Sequence, residues 1–229
     1  MIGMKRLLFI SLLLATAVVD VKAQYSRASL WTSDMERFAR EDSTHGCKAN
    51  CVLFVGSSTF TRWTTAVADF PESNILNRAF GGSTLTDLIY YFDQIVLPYN
   101  PLQVVIYEGD NDLAETSKSV GEFIDDVTTI TRLVNIHFPR AQILLVSIKL
   151  SPSRKEYFSK YLKANELMKQ MADSSEYIDF VDTCTPMLNP DGSPNEDFFG
   201  SDLLHLNEKG YLLWKSLLYP RLMKAGQRE

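Results

Sequence analysis

Apolar residues along the chain fall into two alternating patterns. Short unbroken runs at 51–55, 75–78, 104–108 (VVIYE), 143–148 (ILLVSI) and 177–181 have the length and the β-branched or aromatic content of buried strands, the second being the weakest. Between them apolar positions recur at helical spacing. Leu85, Leu88, Ile89, Phe92 and Ile95 form one stripe that Pro98 stops. Val120, Phe123, Ile124, Val127, Ile130 and Val134 form another, ending before Pro139. Ser119 and Glu122 open it as a capping box, hydroxyl and carboxylate each satisfying a free backbone donor of the first turn. Further helices are expected over 157–172 and 207–222, with an early one near 33–40 packed outside the sheet.

Strand and helix in strict alternation imply a parallel sheet covered on both faces. With right-handed crossovers this gives an α/β, three-layer α/β/α sandwich around a five-stranded, doubly wound, flavodoxin-like sheet. In such sheets ligands bind beyond the carboxyl ends of the strands, so any chemistry is expected where strands stop.

Composition changes this picture little. The 229 residues, 45% hydrophobic and 22% charged, suit one globular domain over 24–229, with no repeat, linker or low-complexity tract. The formal charge of −5 understates the acidity of this body, because the first 23 residues are net basic. An acidic body without basic runs argues against nucleic acid as a partner and against a hold on an anionic membrane surface. Lys5 and Arg6, the apolar run 7–19 and the segment Val21-Lys22-Ala23 read as a signal peptide cleaved after Ala23. That run is too short to span a bilayer, which takes about 20 residues. A secreted or periplasmic protein with no stable membrane insertion is therefore expected. Cys47 and Cys51 could bridge in that setting, although three idle thiols, with Cys184, are the simpler reading. Their spacing lacks the second pair a zinc site needs.

Polar residues do follow the strands. The first ends in Gly56-Ser57-Ser58-Thr59, where a serine before a helix start meets N–H groups that favour developing negative charge, though an ordinary N-cap serine reads the same way. The second ends in Gly81-Gly82-Ser83-Thr84, whose glycines can bring backbone donors close to a ligand, though a flexible loop with Ser83 or Thr84 capping the next helix is the simpler reading of this segment alone. The third ends in Gly109-Asp110-Asn111-Asp112, either a turn or a site where the Asn111 amide meets a carbonyl oxygen as it becomes negative. Two carboxylates there also admit a magnesium reading, but no phosphate loop accompanies them. Before the last helix, Asp202 stands three residues ahead of His205, so the carboxylate can hold one ring nitrogen while the other faces a nucleophile. His137 has no such partner. Trp63 is expected in the core, and Arg62 and Arg154 as solvated or ion-paired surface groups.

In order and spacing these segments resemble the four blocks of the SGNH hydrolase superfamily, the GDSL-like esterases and lipases, over about residues 51–222. The resemblance implies Ser58 as nucleophile, Asp202 and His205 as its activating pair, and an oxyanion hole from the Ser58 N–H, the Gly82 N–H and the Asn111 side chain. It implies no cofactor and no metal. The substrate is then an ester of a small molecule, polysaccharide or lipid, with a short acyl group such as acetyl expected. One departure stands out: the family carries Gly-Asp-Ser in the first block, whereas this chain has Gly56-Ser57-Ser58, so a second hydroxyl adjoins the nucleophile. The fold alone does not exclude an acyltransferase acting on a sugar acceptor, or an inactive carbohydrate-binding module.

Overall fold

The computed structural model describes residues 29–226. The expected signal peptide and its cleavage point lie outside the described residues. Five strands, β1 (Val52–Gly56), β2 (Ile75–Asn77), β3 (Gln103–Tyr107), β4 (Gln142–Val146) and β5 (Ile178–Val181), form one sheet in the order β2-β1-β3-β4-β5. Every pairing is parallel, with Val52 opposite both Ile75 and Gln103, Gln103 opposite Gln142, and Ile143 opposite Ile178. This is the flavodoxin-like layout. Each strand lies within about two residues of its expected place, as strand ends generally do.

The strands read as continuous apolar runs because successive side chains enter two different cores. Leu53, Val55, Val104, Ile106, Ile143 and Leu145 face a mixed layer of aliphatic and aromatic side chains. That layer is completed by α4 (Leu85–Tyr90), α5 (Phe92–Ile95), α7 (Val120–His137) and α8 (Phe158–Asp173). Val52, Phe54, Val105, Tyr107, Leu144 and Val146 face the opposite, aromatic layer of Phe60, Trp63, Phe70 and Trp214. Two single-turn helices, α2 (Ser58–Thr61) and α3 (Ala66–Asp69), and the last helix, α9 (Glu208–Leu218), carry that second layer. Trp63 sits in it as expected, its indole N–H donating to Asp69.

Three helices differ from expectation. The first, α1 (Thr32–His45), is longer than the segment around 33–40. The stripe 85–95 keeps its apolar face but breaks at Tyr91 into α4 and α5. The Gly109–Asp112 segment is no turn: Gly109 caps a short helix, α6 (Asp110–Glu115), and Asp112 accepts from the Gly109 N–H at 3.2 Å. All three cysteines are thiols; Cys47 is exposed, and Cys51 and Cys184 are buried. Among the described residues no helix is long and apolar enough to cross a membrane.

Candidate active site

The carboxyl ends of β1 and β3 meet where glycine alone fits. Gly56 has φ +147°, and a Cβ there would fall 2.2 Å from the Tyr107 carbonyl oxygen, inside any tolerable contact. Gly109 has φ +111°, and a Cβ there would strike Ile148 and Phe123 at 2.4 and 2.8 Å. These two glycines turn the chain sharply as it leaves the sheet. Ser58 then starts α2, and Asn111 stands in the first turn of α6. Because α2 is a single turn, its dipole adds less than a full helix at Ser58 would.

His205 approaches from the segment before α9. Its Nε2 lies 3.0 Å from Ser58 Oγ, and its Nδ1 lies 2.6 Å from Asp202 Oδ2. The other oxygen of Asp202 accepts from the Leu204 and His205 backbone N–H groups, each at 3.0 Å. The His205 ring and these two N–H groups hold the Asp202 carboxyl far below the usual carboxylate range. The turn forces Leu203 into the left-handed region at φ +53°, a cost a non-glycine residue bears only when neighbours hold it. Ser153 supplies that hold, donating to the Leu203 carbonyl through its N–H at 3.1 Å and its hydroxyl at 3.0 Å. Arg62 is exposed, 3.8 Å from Asp202, as expected of a surface ion pair.

Of the two adjacent hydroxyls, only Ser58 meets the imidazole. Ser57 turns inward, is 2% exposed, and accepts from Asn111 Nδ2 at 2.7 Å. The second N–H of that amide donates to the Ser83 carbonyl at 2.9 Å, which ties α6 to the loop bearing Gly81 and Gly82. A Cβ added at Gly81 would come within 3.8 Å of Ser58 Cβ, so this loop flanks the serine. The backbone N–H groups of Ser58 and Gly82 have no protein acceptor among the described residues.

Beneath Asn111 lies a buried charged network. Asp110 receives Lys149 Nζ at 2.5 Å and the Tyr161 hydroxyl at 3.2 Å, with Arg154 Nε at 3.5 Å. Burial works to raise the Asp110 carboxyl, but the two cations outweigh it and hold it below its ordinary value. Arg154 therefore corrects the expectation of a surface group. Its side chain is 10% exposed, and its Nη2 donates to Asn111 Oδ1 at 3.2 Å and also to Glu115. Asp112 caps Gly109 and Leu85 and pairs with Lys118, so both carboxylates of this segment are committed to protein partners. Glu108, at the end of β3, accepts from Ser83 Oγ at 2.5 Å, its second oxygen has no hydrogen-bond partner among the described residues, and the residue lines a small cavity with Leu85, Ile106, Phe123 and Met168. Burial, then the neighbouring Asp112 charge, pushes the Glu108 carboxyl well above its ordinary range. Sequence reasoning did not single out Glu108 or Lys149; a charged residue inside or beside an apolar strand run was the signal present.

The sequence profile of the GDSL-like Lipase/Acylhydrolase family matches residues 42–213. No curated protein sequence matches the chain. Among solved structures, a Streptococcus pneumoniae protein provisionally described as a platelet activating factor superposes with a TM-score of 0.75 at 20% identity, covering 91% of this chain and 99% of that one. A GDSL-like lipase from Bacteroides thetaiotaomicron gives 0.71 at 22% identity, over 82% and 96%. An acetylxylan esterase from Geobacillus stearothermophilus, a catalytic mutant, gives 0.62 at 15% identity, over 80% and 98%. At these identities the likeness is one of fold, and the family assignment rests on the profile. With that match running from the end of the first helix through the Asp202–His205 turn into the last helix, the chain belongs to the GDSL-like lipase/acylhydrolase family.

Proposed function

We propose that the protein is an exported serine esterase that removes short acyl groups, acetyl foremost, from carbohydrate or lipid esters. The observation that carries the proposal is the hydrogen-bonded series from Ser58 Oγ through the His205 ring to Asp202, at 3.0 and 2.6 Å. His205 Nε2 takes the Ser58 proton as Oγ attacks the ester carbonyl, and Asp202 holds the imidazole tautomer and stabilises its charged form. The tetrahedral oxyanion is received by the Ser58 and Gly82 N–H groups and by Asn111 Nδ2. In the resting site one Asn111 N–H is given to the Ser57 hydroxyl. An oxyanion outcompetes that neutral acceptor, because hydrogen bonds to a charged oxygen are about twice as strong. His205 then protonates the leaving alcohol, and water repeats the sequence to free the acid and restore Ser58.

The open side of the site favours a polar alcohol moiety. Asp202 is 45% exposed and Arg62 57%, so the rim beside His205 is wet and charged. The acetylxylan esterase that shares the fold makes acetylated polysaccharide the first substrate to try. The test is hydrolysis of p-nitrophenyl esters graded by acyl length, beside acetylated xylan and lysophospholipid, with Ser58→Ala and Ser57→Ala in parallel. Ser58→Ala is expected to lose at least about 10³-fold in kcat. Ser57→Ala is expected to retain measurable turnover, having lost only the resting partner of Asn111. Full activity in Ser58→Ala overturns the proposal. Acyl transfer to an added sugar in preference to water replaces hydrolysis by transfer. Export is tested by recovering protein outside the cytoplasm whose first residue is Gln24.

A further inference from the structure

The segment that follows β4 touches both halves of the site. Ser151 Oγ donates to the Leu204 carbonyl at 3.2 Å, and Ser153 holds the Leu203 carbonyl, so these two serines clamp the turn that carries Asp202 and His205. One residue later, Arg154 reaches the other way. Its Nη1 donates to the Asp110 carbonyl at 3.1 Å and its Nη2 to Asn111 Oδ1 at 3.2 Å.

That last contact decides which edge of the Asn111 amide faces the serine. A guanidinium has five donors and no acceptor, so the amide must present its oxygen to Arg154. The NH₂ group is thereby turned toward Ser57 and the Ser83 carbonyl, the side on which Ser58 lies. The opposite rotamer would set NH₂ against guanidinium and the amide oxygen against a carbonyl, two repulsive contacts in a buried place. Donation to Oδ1 also polarises the amide and strengthens its N–H bonds. Lys149 takes the main ionic load of Asp110, at 2.5 Å against 3.5 Å for Arg154 Nε, which leaves the guanidinium fork to serve the Asp110 carbonyl, Asn111 and Glu115.

We propose that Arg154 is a positioning residue for ester cleavage: it locks the Asn111 amide with its N–H edge toward the oxyanion, and the segment 151–154 keeps that amide in register with His205. The proposal rests on the esterase reading above and adds a residue to it. It acts through Asn111 and does not require Arg154 to meet the substrate.

A double-mutant cycle on p-nitrophenyl acetate hydrolysis tests it. Arg154→Met is expected to lower kcat about 10-fold or more while KM changes within about two-fold, since the lost interaction strengthens only as the oxyanion forms. In the Asn111→Ala background the same substitution is expected to have no further effect, because its target is gone. A loss that multiplies fully with that of Asn111→Ala marks a merely structural role and overturns the proposal, as does a wild-type kcat in Arg154→Met. Should Arg154→Met fail to fold, Arg154→Lys keeps a cation for Asp110 without the fork and carries the same cycle with the same expected outcome. Ser58→Ala is run alongside: retained activity there overturns the esterase reading itself, whereas an inactive Ser58→Ala beside unimpaired Arg154 variants overturns the role of Arg154 alone.

Discussion

Asp202 and His205 sit on an irregular turn at the wet rim of the sheet, whereas Asn111 stands in the first turn of a helix, beside Asp110, Lys149 and Arg154, which are almost wholly buried. Inside the turn the bonds are short-range, Asp202 to the N–H groups of residues 204 and 205 and to the His205 ring, and Ser151 and Ser153 clamp its outer carbonyls. The buried side is held by partners up to 54 residues away in sequence, Ser57 to Asn111 among them. In the proposed mechanism Asp202 and His205 are a proton-transfer pair, which exchanges protons and products with solvent and so stays near it. Asn111, the oxyanion donor of that mechanism, gains by being fixed beforehand in a place water cannot reorganise. The two halves should therefore fail differently, one in chemistry and the other in stability.

The largest expected effect is on chemistry at the rim. His205→Ala is expected to lower kcat by about 10⁴-fold or more, judged by steady-state ester hydrolysis. Its unfolding free energy in urea is expected to stay within about 1 kcal/mol of wild type, since few packed contacts are lost. On the buried side Asp110→Ala strands Lys149 without its carboxylate, leaves Arg154 only Glu115, and is expected to cost ~3–5 kcal/mol in the same melts. If both variants unfold at the same urea concentration, the contrast between rim and interior is wrong.

A smaller effect separates Glu108 from the ion pairs. Its carboxyl keeps a proton in the folded state that the unfolded chain has released, so stability falls as pH rises above the ordinary glutamate value toward the raised folded one. Glu108→Gln, which can still accept from Ser83, removes that dependence. Relative to wild type it is expected to gain stability as pH rises from 5 to 8 in thermal or urea melts. An equal pH slope in both proteins would remove Glu108 from the account. The smallest effect is a titration: a thiol reagent at neutral pH should label Cys47 alone. Burial pushes the thiols of Cys51 and Cys184 up to about 11 and about 12, so both should react only on unfolding.

Local signals were legible along the chain. Continuous apolar strands, the capping box at Ser119 and the strand-end placement of Ser58, Gly82 and Asn111 could all be read because each depends on residues a few positions apart. The break at Tyr91 and the helical start at Gly109 could not, since the periodicity of 85–95 runs on regardless and Gly-Asp-Asn-Asp suits a turn equally well. Arg154 was misread for the same reason in reverse. Nothing within a few residues of it, in a segment of Ser, Pro and Lys, announces a buried cation, and its partners lie about forty positions upstream.

By itself the sequence determined the parallel α/β order, through the alternation of apolar periods, and the identities and spacing of the four polar blocks, because short-range sterics and periodicity act along the chain. Only the tertiary structure decided that Ser58 and not Ser57 faces the imidazole, which way the Asn111 amide points, and that Arg154 and Lys149 lie buried against Asp110. Those outcomes depend on burial and on hydrogen-bond partners that meet only when the ends of β1, β3 and β4 are brought side by side.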